Sequence, residues 1–171
     1  MIHLYYGNGK GKTTAAAGLA VRAAGQGWRV FFLQFLKGGP SGEVTVLEQL
    51  PDVTVKRLSE PYGFTFQMSE ETKERVRAEH RRMLQAALRE LREDRCGLLV
   101  LDEIGSALRC GLAETETVKN LLAEYGQTRE IVMTAHEPPD WLKESSDYCT
   151  EFRKIRHPLD RGIGAREGIE Y

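Results

Sequence analysis

The run Tyr6-Gly7-Asn8-Gly9-Lys10-Gly11-Lys12-Thr13 restricts the fold more than any other feature of the chain. Glycines at positions 7, 9 and 11 permit positive φ and let backbone N–H groups come close to a ligand. An apolar stretch, Ile2–Tyr6, precedes the run, and an alanine-rich stretch from about Lys12 to Ala24 follows it. Strand, glycine-rich turn and helix start, in that order, make a positively polarised nest for phosphate. In such a nest Lys12 reaches phosphate oxygens, and the Thr13 hydroxyl faces Mg²⁺, with Mn²⁺ as the alternative ion. The ligand this predicts is the triphosphate of a nucleotide, ATP above all. The strict pattern has glycine at the position of Tyr6, the one departure within the run.

A phosphate loop also needs a carboxylate near the metal, carried by a rigid strand. Leu98-Leu99-Val100-Leu101-Asp102-Glu103 supplies one: an apolar run ending in two acids. Asp102 and Glu103 are therefore the metal-shell candidates, beside Thr13. A dinucleotide site competes for the glycines, but it expects an acid at the end of the second strand to hold a ribose. Gln34 stands there, so that reading fails.

The rest of the chain alternates short apolar runs with longer amphipathic segments, the pattern of an α/β fold with a mostly parallel sheet between helix layers. Strands are expected at Ile2–Tyr6, Arg29–Phe35, Val53–Leu58, Gly97–Leu101, Glu130–Thr134 and Tyr148–Ile155. The helix after the loop ends at Gly25 and Gly27, read as left-handed caps. A long helix is expected from Glu70 to about Glu93, capped by Ser69, with Val76, Met83, Leu84, Leu88 and Leu91 as its buried stripe. Shorter helices fall near Thr117–Tyr125 and Asp140–Ser145. Lys37–Ser41 and the aromatic segment Glu60–Met68 read as working loops at the carboxyl ends of strands. The 171 residues suit one domain spanning 1–171, and a net charge of -1 gives no case for nucleic acid or a membrane surface as partner. Cys96, Cys110 and Cys149 form no C-x-x-C pair, which argues for a reducing cytoplasm; Cys110 and Cys149 read as small buried hydrophobes. The chain starts almost at its first strand, so no leader is expected.

Taken in order, Gly7-Asn8-Gly9-Lys10-Gly11-Lys12-Thr13-Thr14, Gln34-Phe35-Leu36-Lys37-Gly38, Gly63-Phe64-Thr65-Phe66 and Leu101-Asp102-Glu103 resemble the P-loop type of ATP:corrinoid adenosyltransferase. The tail, Arg156-His157-Pro158-Leu159-Asp160-Arg161-Gly162-Ile163 and Gly168-Ile169-Glu170-Tyr171, is similar to that family's C-terminal signature. The resemblance covers nearly the whole chain, and a non-glycine residue at the position of Tyr6 is a trait of the family. It implies a RecA-like P-loop NTPase fold. It also implies attack on the ribose 5′ carbon of ATP by a reduced cobalt(I) corrinoid such as cobalamin, with inorganic triphosphate leaving. Asn8 and Thr14 would join the phosphate contacts, Arg22 would approach the nucleoside, and Phe64 and Phe66 would pack on the corrinoid's lower face. A homodimer and a flavoprotein reductase partner are implied in the same way. Phe66 stands where tryptophan is expected, Thr134-Ala135-His136-Glu137 where Thr-Gly-Arg is expected, and Gly164 where lysine is common. An N-terminal segment that covers the corrinoid in many relatives has no counterpart before Ile2. Two other functions stay open: an ATPase or small-molecule kinase on the same fold, and a non-catalytic nucleotide-gated corrinoid-binding module.

Overall fold

The computed structural model describes residues 1–170; Tyr171, the last residue of the tail signature, lies outside the described residues. Six strands, β1 (Ile2–Tyr6), β2 (Val30–Gln34), β3 (Val53–Arg57), β4 (Leu98–Asp102), β5 (Glu130–Ala135) and β6 (Tyr148–Glu151), form one sheet. Their order is β3-β2-β4-β5-β1-β6, and every neighbouring pair is parallel. The sheet expected to be mostly parallel is wholly so. Strands β2, β4 and β5 are buried on both faces, which is why they read as largely apolar runs.

Alternate residues of each strand feed two cores. On one face α1 (Lys12–Ala24) and α2 (Gly42–Leu47) cover Val30, Phe32, Leu98, Val100 and Val132, with Ala16, Ala17 and Ala20 letting α1 lie close. On the other, Phe31, Leu33, Leu99, Leu101, Ile131 and Met133 meet α3 (Glu70–Arg92), α4 (Ile104–Arg109), α5 (Thr115–Tyr125) and α6 (Asp140–Glu144). This is the three-layer α/β/α arrangement the alternation predicts. Ser69 caps α3 by accepting the Thr72 N–H.

Four local expectations change. The last strand stops at Glu151 rather than Ile155, because Phe152 turns away to cross the phosphate loop. Gly25 is right-handed (φ -62°), so only Gly27 (φ 76°) supplies a left-handed residue after α1. Cys110 and Cys149 are exposed; Cys96 alone of the three is buried, where desolvation pushes its thiol up to about 11. The helices α2 and α4 were not anticipated, since each is only 6 residues and too short to show a period.

Candidate functional site

β1 delivers the glycine-rich loop to the carboxyl edge of the sheet, and α1 begins at Lys12. Gly7 (φ 112°) and Gly11 (φ 109°) adopt backbone that only glycine takes freely; Gly9 does not, contrary to expectation. The need for glycine at 7 and 9 is steric. A Cβ would fall 2.5 Å from the Phe152 carbonyl oxygen at Gly7 and 2.8 Å from it at Gly9. The Gly9 N–H donates to that oxygen (2.7 Å), the Phe152 N–H donates to Tyr6 O (2.7 Å), and the Lys154 N–H donates to Asn8 Oδ1 (2.8 Å). Two of the loop's glycines therefore seat the chain's own crossing segment. α1 begins just beyond them, and its first N–H groups have no partner within the helix.

Lys12 folds back over the loop and donates from Nζ to Gly7 O (2.7 Å) and Gly9 O (2.9 Å). Burial lowers its pKa, Glu103 and Asp102 oppose that shift, and Lys37 adds to it. Among the described residues no carboxylate bonds this ammonium directly, so an incoming anion has a cation to meet.

The acidic end is built by three strands. β5 lies between β1 and β4, so Thr134 from β5 fills the gap between the loop strand and the acid strand. Asp102, fully buried, accepts at Oδ1 from the Thr13 hydroxyl (2.9 Å) and the Thr134 hydroxyl (2.8 Å), and at Oδ2 from Gln34 Nε2 (3.2 Å). Desolvation raises its pKa, with Lys37 opposing most strongly. Gln34 Oε1, also buried, has no hydrogen-bond partner among the described residues. Glu103 takes left-handed backbone (φ 62°), its N–H donates to the Thr134 hydroxyl (2.7 Å), and its Oε2 accepts from Ser106 (2.6 Å).

Lys12, Thr13 and Glu103 border a cavity of about 380 Å³, with Asp102, Thr134 and Gln34 buried behind its wall. Of the expected phosphate residues, Gly9, Lys10, Gly11, Lys12, Thr13 and Thr14 line it, with Glu103. Gly7 and Asn8 instead face a neighbouring cavity of about 600 Å³, together with Arg109, His136 and Glu137. Arg22 borders neither; it sits ten residues along α1 from Lys12, about 15 Å at the rise of an α-helix. Sequence reasoning placed Lys37–Ser41 as a working loop without giving Lys37 a role at the triphosphate, and it did not pair Gln34 and Thr134 with Asp102. Nor did it place Gly168, Ile169 and Glu170 at the cavity. The apolar run before Lys37 was the available signal for that residue, since it ends a strand on the same edge as the loop.

Phe64 and Phe66 lie outside both cavities, 69% and 80% exposed, and stack on each other with centroids 5.6 Å apart. Their loop is tied down at its base, where the Tyr62 hydroxyl (2.6 Å) and the Ser59 hydroxyl (2.8 Å) donate to Glu79 Oε1 on α3. Gly38 joins it to the phosphate side, because a Cβ there would overlap the Glu60 carbonyl. His136 is exposed and hydrogen-bonds through its backbone, to Ser106.

Comparison with known proteins bears on all of this. The family described as ATP:corrinoid adenosyltransferase BtuR/CobO/CobP matches residues 1–171. The chain is 32% identical over 170 residues to the corrinoid adenosyltransferase of Pseudomonas aeruginosa, covering 98% of this chain and 82% of that one. It is 32% identical over 179 residues to the corrinoid adenosyltransferase of Escherichia coli K12, covering 100% and 85%. Among solved structures, the cytoplasmic domain of EssC superposes with a TM-score of 0.57 at 19% identity, over 96% of this chain and 33% of that one. At that identity the likeness is one of fold alone.

Proposed function

The chain belongs to the ATP:corrinoid adenosyltransferase family, and on that premise we propose that it transfers the 5′-deoxyadenosyl group of ATP to the cobalt of a reduced corrinoid. The observation that carries the reading is the phosphate cavity. It gathers Lys10, Lys12 and Lys37, the start of α1 and an acid-lined end in one space. The electron pair comes from cobalt(I). A bond forms from cobalt to C5′, the C5′–O bond breaks, and its electrons leave with inorganic triphosphate. No proton moves, so no general base is needed, and the exposed His136 has none of the positioning such a role requires.

What the protein must supply is preorganised positive charge around the leaving group. Lys12 sits over the loop, ready to exchange carbonyls for phosphate oxygens, and Lys10 and Lys37 flank it. The donors at the acidic end are all oxygen: the Thr13 hydroxyl, Asp102 and Glu103. That set would suit a hard cation such as Mg²⁺, held by the Thr13 hydroxyl and the acids. Among the described residues no cluster of three or more His, Cys, Asp or Glu forms a cage, so phosphate oxygens would complete the shell. Bound there, Mg²⁺ supplies neutralising charge to the triphosphate. Asn8, engaged with Lys154, and Arg22, a helix length away, would have to reach the nucleotide from outside the cavity.

Phe64 and Phe66 are the surface for the corrinoid face. Two stacked, exposed rings present the flat apolar wall that excludes an axial ligand from cobalt, and losing that ligand eases reduction to cobalt(I). The same reading carries a single domain, a cytoplasmic location, a homodimer and an electron-donating reductase, since the nucleophile must be made by reduction. Phosphorus NMR with ATP, Mg²⁺ and chemically reduced corrinoid is the test. Inorganic triphosphate is expected in step with a light-sensitive cobalt–carbon bond. Orthophosphate released independently of corrinoid, or ATP left intact beside bound corrinoid, overturns the reading.

A further inference from the structure

Of the four histidines, His80 alone is fully buried, within the stripe of α3 that carries Val76, Met83, Leu84, Ala87 and Leu91. Both ring nitrogens are engaged with backbone. Nδ1–H donates to the Leu112 carbonyl (2.8 Å), and Nε2 accepts the Leu36 N–H (3.3 Å). A carbonyl only accepts and an amide N–H only donates, so the ring is neutral with its proton on Nδ1. Phe35 packs edge-on against it at 4.9 Å.

Leu36 is the unusual partner. Its φ of 63° is left-handed, a conformation strained for a leucine. The turn redirects the chain as it leaves β2. The next residue, Lys37, reaches the phosphate cavity and bears electrostatically on both Lys12 and Asp102. Gly38 then fits beneath Glu60. On the same helix Glu79 holds the base of the aromatic loop, so two adjacent residues of α3 address the two sides of the site. A leucine at position 80 would fill the space but leave the Leu36 N–H and the Leu112 carbonyl unpaired.

We propose that His80 is a positioning residue: it holds Leu36 in the left-handed turn that delivers Lys37 to the triphosphate. The inference rests on the triphosphate-binding reading given above. Calorimetric titration of inorganic tripolyphosphate with Mg²⁺ separates the two, because it needs no corrinoid. His80→Leu is expected to weaken binding about tenfold, the size of one misplaced charge-assisted contact. Lys37→Ala should weaken it comparably, and the double variant should bind no worse than Lys37→Ala alone. His80→Gln, which keeps a donor and an acceptor, should recover part of the loss. A merely structural role would lower Tm without coupling to Lys37. Additive losses, or wild-type affinity in a folded His80→Leu protein, overturn the proposal. Should His80→Leu not fold, the same additivity between His80→Gln and Lys37→Ala decides it. A wild-type protein that does not bind tripolyphosphate overturns the triphosphate reading itself.

Discussion

The two sides of the site are built on opposite plans. At the phosphate side, loop, acids and hydroxyls are pinned by strand ends, and Asp102 is bonded by three neighbours from three segments. At the aromatic side, Phe64 and Phe66 have each other and little else, though the base of their loop is tied to Glu79. The contrast follows from what each ligand needs. A polyanion loses strong hydration on binding and must find fixed donors already in place. A flat apolar face is satisfied by apolar contact, and on the proposed reading the corrinoid itself would cover the rings.

Removing the phosphate-side charge tests that contrast most severely. Lys12→Ala should cost on the order of 10²–10³ in kcat, the scale of losing one preorganised donor, with little change in Tm. Rates of cobalt–carbon bond formation from prereduced corrinoid measure it; an unchanged rate would break the distinction. On the other side, Phe64→Ala with Phe66→Ala should slow turnover by about 10–100-fold when a weak reductant supplies cobalt(I), the scale of a lost outer-shell group. The loss should shrink when the corrinoid is reduced chemically beforehand, and stability should move by only about 0.5 kcal/mol, because both rings are exposed. Equal losses under both reductants would sink the role assigned to the rings.

Gly7→Ala sharpens the comparison from within the loop. Its added methyl meets the Phe152 carbonyl, so a stability loss of about 1–3 kcal/mol is expected in thermal melts even without nucleotide. A purely ligand-facing glycine would show its cost in binding alone. The smallest effect concerns pH. Burial raises the Asp102 pKa, so the folded state favours the protonated acid. Stability of the ligand-free protein in chelator should therefore fall as pH rises from about 4, the ordinary carboxylate value, through the raised folded value, and level off above it. Asp102→Asn should flatten that part of the profile; a profile unchanged by the substitution would show that another group carries it.

The phosphate side was legible because its parts are local: a strand, three glycines and Lys12-Thr13 within one short stretch, and two acids ending an apolar run. Strands β2, β4 and β5 were legible because burial on both faces leaves mostly apolar residues, with polar Gln34, Asp102 and Thr134 at or near their carboxyl ends. What escaped depends on distant pairing. Nothing near Gly7 or Gly9 says that Phe152 will lie against them, and the glycines were accordingly credited to phosphate alone. His80, set among Arg77, Glu79, Arg81 and Arg82, reads as part of a polar face until its helical position beside Val76, Met83 and Leu84 is counted. The loop from Lys37 was legible, but not the left-handed Leu36 that leads into it, since a leucine announces no such turn.

The crossing of the loop by Phe152 also bears on how the chain matures. Gly9 and its partner are separated by most of the sequence, so the nest cannot be complete until β6 has docked beside β1. Such long-range closure comes late and slowly in folding. Nucleotide affinity should therefore be the last property to appear on refolding, after the helices and inner sheet, and the first to vanish when the C-terminal strand frays.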